Sequence, residues 1–364
     1  MKRKFADVLT IVNGKNQKKV ENPKGEYPIY GSGGVMGHAD AYLCEADTVV
    51  LGRKGNINNP IYVDRKFWNV DTAFGLAADR DVLLPKYLFY FCCRYDFERI
   101  NKTVTIPSLT KKDLLDVEME VPEIPEQQRI VDVLDRLHAL EENRRRVLAM
   151  LDELVKTRFV EMFGDPVVNP FHWAMKSFMS FGECKNGMNF HREDKGIEIH
   201  CLGVGDFHDL SVVEDVKGLP TASLTAMPSE DYLLQDGDIV FVRSNGNRAL
   251  VGRCVVVYPH ETPTTFSGFC IRFRQTVERK LVTRYLLQVL KADGIRAKMQ
   301  GRGANIQNVN QKILSEIEIP VPPWPLQNQF AAFVREVDQT KAAVRAQVAA
   351  METLRAKMMQ DFFG

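Results

Sequence analysis

Pro122-Glu123-Ile124-Pro125-Glu126-Gln127-Gln128-Arg129-Ile130 returns, altered, as Pro322-Pro323-Trp324-Pro325-Leu326-Gln327-Asn328-Gln329-Phe330. The two stretches lie 200 residues apart. That offset, without a gap, sets 106–164 over 306–364: Leu114 over Leu314, Val121 over Val321, Leu154 over Leu354, Phe163-Gly164 over Phe363-Gly364. Upstream the offset shrinks in steps. Tyr87-Leu88 matches Tyr285-Leu286 at 198, Asp47 with Gly55-Asn56 matches Asp238 with Gly246-Asn247 at 191, and Phe5 with Asn13-Gly14 matches Phe178 with Asn186-Gly187 at 173. Stepwise drift is what insertions in surface loops produce while core elements stay in place. The chain is two copies of one module, roughly 1–164 and 165–364. Two units of this size do not make a solenoid.

Each module ends in a long helix. Pro122 and Pro125 stop what precedes it, and Pro125 suits a first helical turn. From Glu126 to Phe163 there is neither Pro nor Gly. A seven-residue register places Ile130, Leu137 and Leu151 on one seam line and Val133, Leu140 and Leu154 on the other. In the second copy Phe330, Val337, Val344 and Met351 take the first line, Phe333 and Leu354 the second. Val334, Val348 and Phe362 lie one position beside it. About 38 residues at 1.5 Å each predict a helix of about 57 Å. A helix that long with one apolar seam favours a partner helix, its own repeat being the nearest, over the alternative that each helix folds back on its own globular region.

The rest of each module reads as a mixed, strand-rich globular region. Asp47–Gly52, Asp238–Val242, Arg253–Tyr258 and Gly268–Phe273 have the β-branched and apolar runs of short strands. Pro85–Arg99 and Thr283–Lys298 read as helices. The expected fold class is α+β: two mixed α/β regions, 1–121 and 165–321, joined by two long antiparallel helices, 122–164 and 322–364, that form a coiled coil with internal pseudo-two-fold symmetry.

Composition excludes several classes. The 364 residues are 45% hydrophobic and 26% charged, ordinary for a globular protein and too long for one domain. No apolar run approaches the roughly 18 residues of a membrane span. The seven cysteines form no C-x-x-C pair, which predicts reduced thiols in a cytoplasmic protein. Catalytic motifs fail on inspection. Asn59-Pro60-Ile61-Tyr62 resembles the N-P-P-Y loop of adenine methyltransferases but has Ile at its third position and no methyl-donor motif to accompany it. Gly31-Ser32-Gly33-Gly34 lacks the third glycine of a dinucleotide fingerprint and reads as a tight turn. No P-loop is present, and His191, His200 and His208 lack metal-ligand spacing. No catalytic residue, metal site or bound cofactor is expected.

Two similar modules without a catalytic motif point to binding. The formal charge is only +1, but it averages opposing parts: +2 over 1–121, −2 over 122–164, 0 over 165–321 and +1 over 322–364. Basic stretches recur at corresponding places. Residues 99–112 hold Arg99, Lys102, Lys111 and Lys112 without an acid, and 295–312 hold Arg296, Lys298, Arg302 and Lys312 without one. Residues 243–253 carry Arg243, Arg248 and Arg253. Amides and hydroxyls accompany them. Lys and Arg neutralise phosphates, and Arg, Asn and Gln can read base edges bidentately. The candidate DNA contacts are Arg53, Lys54, Asn56, Lys102, Arg243, Ser244, Asn245, Asn247, Arg248, Arg302 and Asn305. A scaffold that binds only proteins would account for the helices but not for the basic clusters.

Over essentially its whole length the sequence resembles the specificity subunit of type I restriction–modification systems. The resemblance rests on the duplicated architecture, Tyr27–Gly34, the Ile106-Pro107-Ser108-Leu109 approach to the first helix, Pro122–Ile130, Phe163-Gly164-Asp165-Pro166 and Trp173. The second copy departs from the pattern at Leu326, where a Glu precedes Gln in the first. The resemblance implies a non-catalytic subunit with two target-recognition domains, each reading half of a bipartite site in double-stranded DNA. It implies that the paired helices set the spacer and dock two modification subunits. Those carry S-adenosylmethionine, and restriction subunits add ATP- and Mg-dependent translocation. Exchanging 174–305 for the segment of a relative is expected to change one half of the methylated motif. Sequencing the host methylome checks this, and a change in both halves is the contrary result.

Overall fold

The computed structural model describes residues 1–103, 105–190, 196–207, 210–300 and 308–364. The chain divides into two compact units, one of Met1–Val147 with Val344–Gly364 and one of Leu148–Ala343. The division cuts both long helices near their middles. Each unit therefore contains one globular region, half of its own helix and half of the other copy's.

In the first unit the antiparallel strands Leu9–Asn13, Ala73–Ala78, Thr48–Gly52 and Ile61–Val63 lie side by side in that order. Thr48–Gly52 is buried at every position, as expected of a strand covered on both faces. Tyr27–Gly31 joins Gly34–Ala39 and Trp68–Asn69 in a second, three-stranded sheet. The glycine-rich segment is the hairpin turn between its first two strands, and Gly34 takes a φ of +116° that only glycine adopts freely. Helix Pro85–Arg94 packs Tyr87, Leu88 and Phe91 into the core with Phe5, Leu51 and Leu76.

The second unit repeats this order with strands Gly182–Asn186, Cys270–Gln275, Asp238–Val242 and Cys254–Val257, and adds a parallel edge strand, Val212–Val213. A three-stranded sheet of Thr221–Leu224, Ile197–Leu202 and Thr264–Phe266 accompanies it. Helix Thr283–Lys291 buries Tyr285, Leu286 and Val289 where the first unit buries Tyr87 and Leu88. The equivalent tyrosines donate to equivalent carbonyls, Tyr87 to Glu120 at 3.1 Å and Tyr285 to Pro320 at 2.9 Å. Cys44, Cys201 and Cys254 are buried free thiols whose pKa values burial pushes up to about 12, so they stay protonated at neutral pH.

The long helices span Ile124–Phe163 and Trp324–Phe363, 40 residues each. Each begins on a buried glutamine. Gln127 accepts a hydrogen bond from Leu84 N at 2.8 Å and donates to the carbonyls of Val82 and Pro122 at 2.9 and 2.8 Å. Gln327 does the same with Val282 N, Lys280 O and Pro322 O. Both side chains are fully buried and satisfied at both ends of the amide.

Within each unit the two helix halves run antiparallel. In the first, Arg355 Nε meets Glu141 Oε1 at 3.0 Å and Arg145 meets Glu352 at 2.7 Å. In the second, Lys341 pairs with Asp152, and Phe159 and Phe163 pack against Phe330. One seam line is the expected one, with Ile130, Leu137, Phe330, Val337 and Val344 buried and Leu151 and Met351 half-buried. The other runs one residue further on than the sequence register placed it. Leu134, Glu141, Val155, Val334 and Lys341 are buried there, while Leu140, Leu154 and Leu354 are exposed and Val133 and Phe333 half-buried. The shifted line is mostly apolar as well, with Leu134, Leu148, Val155, Val334, Val348 and Phe362 on it, and its buried charges are what run against the sequence reading. Charged residues read as surface positions in a sequence, but Glu141 and Lys341 each meet an opposite charge on the facing helix and tolerate burial.

Removing one partner of a buried pair strands the other. Glu141 is 1% exposed and Arg355 42%, so water screens part of the loss. Arg355→Leu is expected to destabilise the first unit by about 1–3 kcal/mol, and Glu141→Leu with Arg355→Leu to recover most of that. Urea denaturation followed by circular dichroism measures both. A double variant no more stable than the single one contradicts the assignment.

Candidate nucleic-acid interface

The central strand of each unit ends on an arginine, and the two arginines are structural equivalents. Arg53 follows Thr48–Gly52, and Arg243 follows Asp238–Val242. Each backbone is fixed by the same two bonds. Arg53 N donates to Thr72 O at 2.8 Å and Arg53 O accepts from Leu109 N at 2.9 Å. Arg243 N donates to Phe269 O at 2.8 Å and Arg243 O accepts from Val309 N at 2.9 Å. The strand registers agree, since Val49 faces Leu76 and Ile239 faces Phe273. These contacts equate the arginines at an offset of 190, one less than the glycine-asparagine pairs suggested. The turns beyond differ in length by that residue.

In the first unit the turn 53–56 lies along 107–109. Lys54 bridges Ser108, and Gly55 N donates to Pro107 O at 2.9 Å. Arg53, Lys54 and Asn56 are exposed, and the Arg53 guanidinium lies 5.7 Å from the Phe74 ring centroid. The turn therefore offers two cations and an amide on a backbone braced by a neighbouring segment. Lys102 stands apart. Its ammonium pairs with Asp113 at 2.5 Å, and that pairing holds the Asp113 carboxyl below the usual carboxylate range.

In the second unit Arg243, Ser244 and Asn245 are half-buried and Asn247 and Arg248 exposed. The Arg243 Nη1 donates to Gly268 O at 3.3 Å. Asn245 and Asn247 serve the turn itself. Asn245 Oδ1 accepts from Asn247 N at 2.8 Å, and Asn247 Oδ1 accepts from Ala249 N at 3.0 Å. Their amide nitrogens can still donate to a ligand. Arg302 and Asn305 lie outside the described residues, as do His191 and His208. Thr72 and Phe269, which hold the arginines by their carbonyls, escaped the sequence reading because backbone acceptors carry no side-chain signature.

The motif that resembled a methyltransferase loop has a structural role. Ile61–Val63 pairs with the central strand, and the Tyr62 hydroxyl donates to Asp47 at 2.6 Å. Burial and Asp47 together raise the Tyr62 pKa. Among the described residues no cluster of His, Cys, Asp and Glu could hold a metal.

The model of the type I restriction modification DNA specificity domain matches residues 1–150 and again 202–350. The chain belongs to that family. Similar proteins include the type I restriction enzyme EcoDI specificity subunit of Escherichia coli, 21% identical over 92% of this chain and 80% of the relative. The StySPI specificity subunit of Salmonella potsdam is 23% identical over 73% of this chain and 60% of its own. The crystal structure of a type I S subunit from M. genitalium superposes with a TM-score of 0.60 at 18% identity, covering 100% of this chain and 96% of the other. The likeness in fold is therefore duplicated and complete along the chain. As a type I specificity subunit the protein recognises DNA, carries no catalysis of its own, and works in a complex of DNA with restriction–modification partner subunits.

Arg243 is half-buried and braced on Gly268 O, whereas Lys54 is exposed; a braced guanidinium suits a base edge and an exposed ammonium suits a phosphate. In the assembled complex, Arg243→Ala is expected to relax one base position at a cost of about 1–3 kcal/mol. Lys54→Ala is expected to weaken all sequences alike and lower the salt slope by about 1. Binding titrations across salt with base-substituted duplexes separate the two patterns. Uniform weakening by Arg243→Ala would move that residue to the backbone class.

Proposed function

We propose that residues 1–121 and 165–321 are the two target-recognition domains, each reading one half of a bipartite site in double-stranded DNA. The reading edge of the first consists of Arg53, Lys54 and Asn56, with Lys102 a separate backbone contact. That of the second consists of Arg243, Ser244, Asn245, Asn247 and Arg248, and the sequence adds Arg302 and Asn305 as DNA contacts. The observation that carries this reading is the equivalence of Arg53 and Arg243: a cation at the end of each central strand, fixed by the same two backbone bonds. A rigid scaffold with differing turns is how one fold reads two sequences.

The helical regions 122–164 and 322–364 act as the spacer between half-sites and dock two modification subunits, and restriction subunits complete the complex. S-adenosylmethionine, ATP and Mg belong to those partners, and this chain holds no cofactor. The complex works in the cytoplasm. Among the described residues no helix is long and apolar enough to cross a membrane. The near-neutral charge of the chain supports a shared grip on DNA, with partner subunits supplying much of the phosphate contact.

Helix length then fixes the distance between half-sites. Inserting one helical turn, about four residues, into both helices is expected to lengthen the non-specific spacer and leave both half-sites unchanged. Methylome sequencing of a host carrying the variant reads the outcome, and an unchanged spacer would overturn the ruler.

A further inference from the structure

The second unit displays a large apolar side chain on one of its most constrained turns. Phe269 is 62% exposed. It stands at the end of Ser267-Gly268-Phe269, between strands Thr264–Phe266 and Cys270–Gln275, which are almost wholly buried. Ser267 N donates to Leu202 O at 3.0 Å, Gly268 N to Met188 O at 2.6 Å and Cys270 N to Ser267 O at 2.8 Å. Phe269 N donates to Ser267 Oγ at 3.2 Å. A lone exposed aromatic is ordinary on a protein surface. This one, however, is built into the frame that holds Arg243. Its carbonyl accepts from both Arg243 N and Ser244 N, and the Arg243 guanidinium reaches back to Gly268 O. Ring and guanidinium therefore project from adjoining points of one rigid frame. In the first unit the same place is taken by exposed Thr72, whose carbonyl accepts from Arg53 N. The aromatic is peculiar to the second unit.

A phenyl ring has no hydrogen-bond donor or acceptor, so it cannot read the polar code of a base edge. The one apolar feature on a major-groove edge is the 5-methyl group of thymine. We infer that Phe269 is a specificity-determining residue of the second half-site, its ring packing on the methyl group of a thymine next to the base pair that Arg243 contacts. This rests on the reading of the Arg243 turn as a DNA-facing edge. Contact removes the methyl and the ring face from water together, and burying about one methyl group is worth about a four- to fivefold change in affinity.

The test uses the chain assembled with its modification subunits and the methylated motif from the host. Each thymine of the second half-site is replaced in turn by deoxyuridine, which removes only the methyl group. At one thymine, deoxyuridine is expected to weaken wild-type binding about four- to fivefold. Phe269→Ala is expected to weaken binding to the thymine duplex by a similar factor, to be indifferent to deoxyuridine there, and to leave the methylated motif degenerate at that position. Phe269→Leu should retain part of the discrimination. The inference is overturned if the second half-site specifies no thymine, if Phe269→Ala behaves as wild type, or if the two losses multiply as independent effects. Arg243→Ala separates the two levels of the argument. If it relaxes the motif while Phe269→Ala is silent, the inference fails and the DNA-facing edge stands. If both are silent, the edge itself is misplaced and the inference falls with it.

Discussion

Everything in this protein hangs from two buried amides. Gln127 and Gln327 each tie the first turn of a long helix to the strand-to-helix loop of the adjoining globular region and to the proline before the helix. A buried amide that lost these partners would leave three backbone groups unsatisfied, each costing about 1–3 kcal/mol. The orientation of each globular region on its helix is therefore defined by direction-dependent bonds, not by apolar contact alone. Recognition of DNA needs that definition. A base edge is read by bonds about 3 Å long, and a reading turn that swivelled on its helix would lose them.

The helices raise a second constraint. Two copies of one module carry similar seams, yet the buried charges at equivalent positions are opposite: Glu141 in the first, Lys341 in the second. Each finds its counter-charge on the facing helix, Arg355 and Asp152. Buried ion pairs add little net stability against apolar substitutes. Their effect is on selection, because a misaligned pairing leaves a charge without its partner. The seam is thus held by apolar residues and aligned by charged ones.

The reading turns follow the opposite logic. Their shape comes from the core, since Arg53 and Arg243 are each fixed by backbone bonds to two neighbouring segments. Their chemistry differs, with Lys54 and Asn56 on one and Ser244, Asn245 and Asn247 on the other. Similar frames with unlike side chains are what a duplicated scaffold needs for two separate specificities. The neutral net charge is compatible with local basic stretches, because acids such as those of the first helix offset them elsewhere.

Much of this was legible in the sequence. The repeat, both long helices with their proline starts, and the tight turn at Gly31–Gly34 follow from local rules of periodicity and backbone conformation. So did the family, because Pro122–Ile130 and its echo are contiguous. Which of two neighbouring apolar lines forms the second seam was not legible. Leu140, Leu154 and Leu354 carry the apolar signal, yet they lie exposed while Glu141 and Lys341 are buried. Burial of a charge depends on a partner some 190–215 residues away, and no local pattern encodes that distance. The same holds for the one-residue shift that equates Arg53 with Arg243, and for Phe269, which a sequence presents as one more core aromatic. Short-range physics, written in neighbouring residues, determined the elements and their duplication. Long-range pairing, which exists only once the chain has folded, decided which side chains face inward and which are left at the surface.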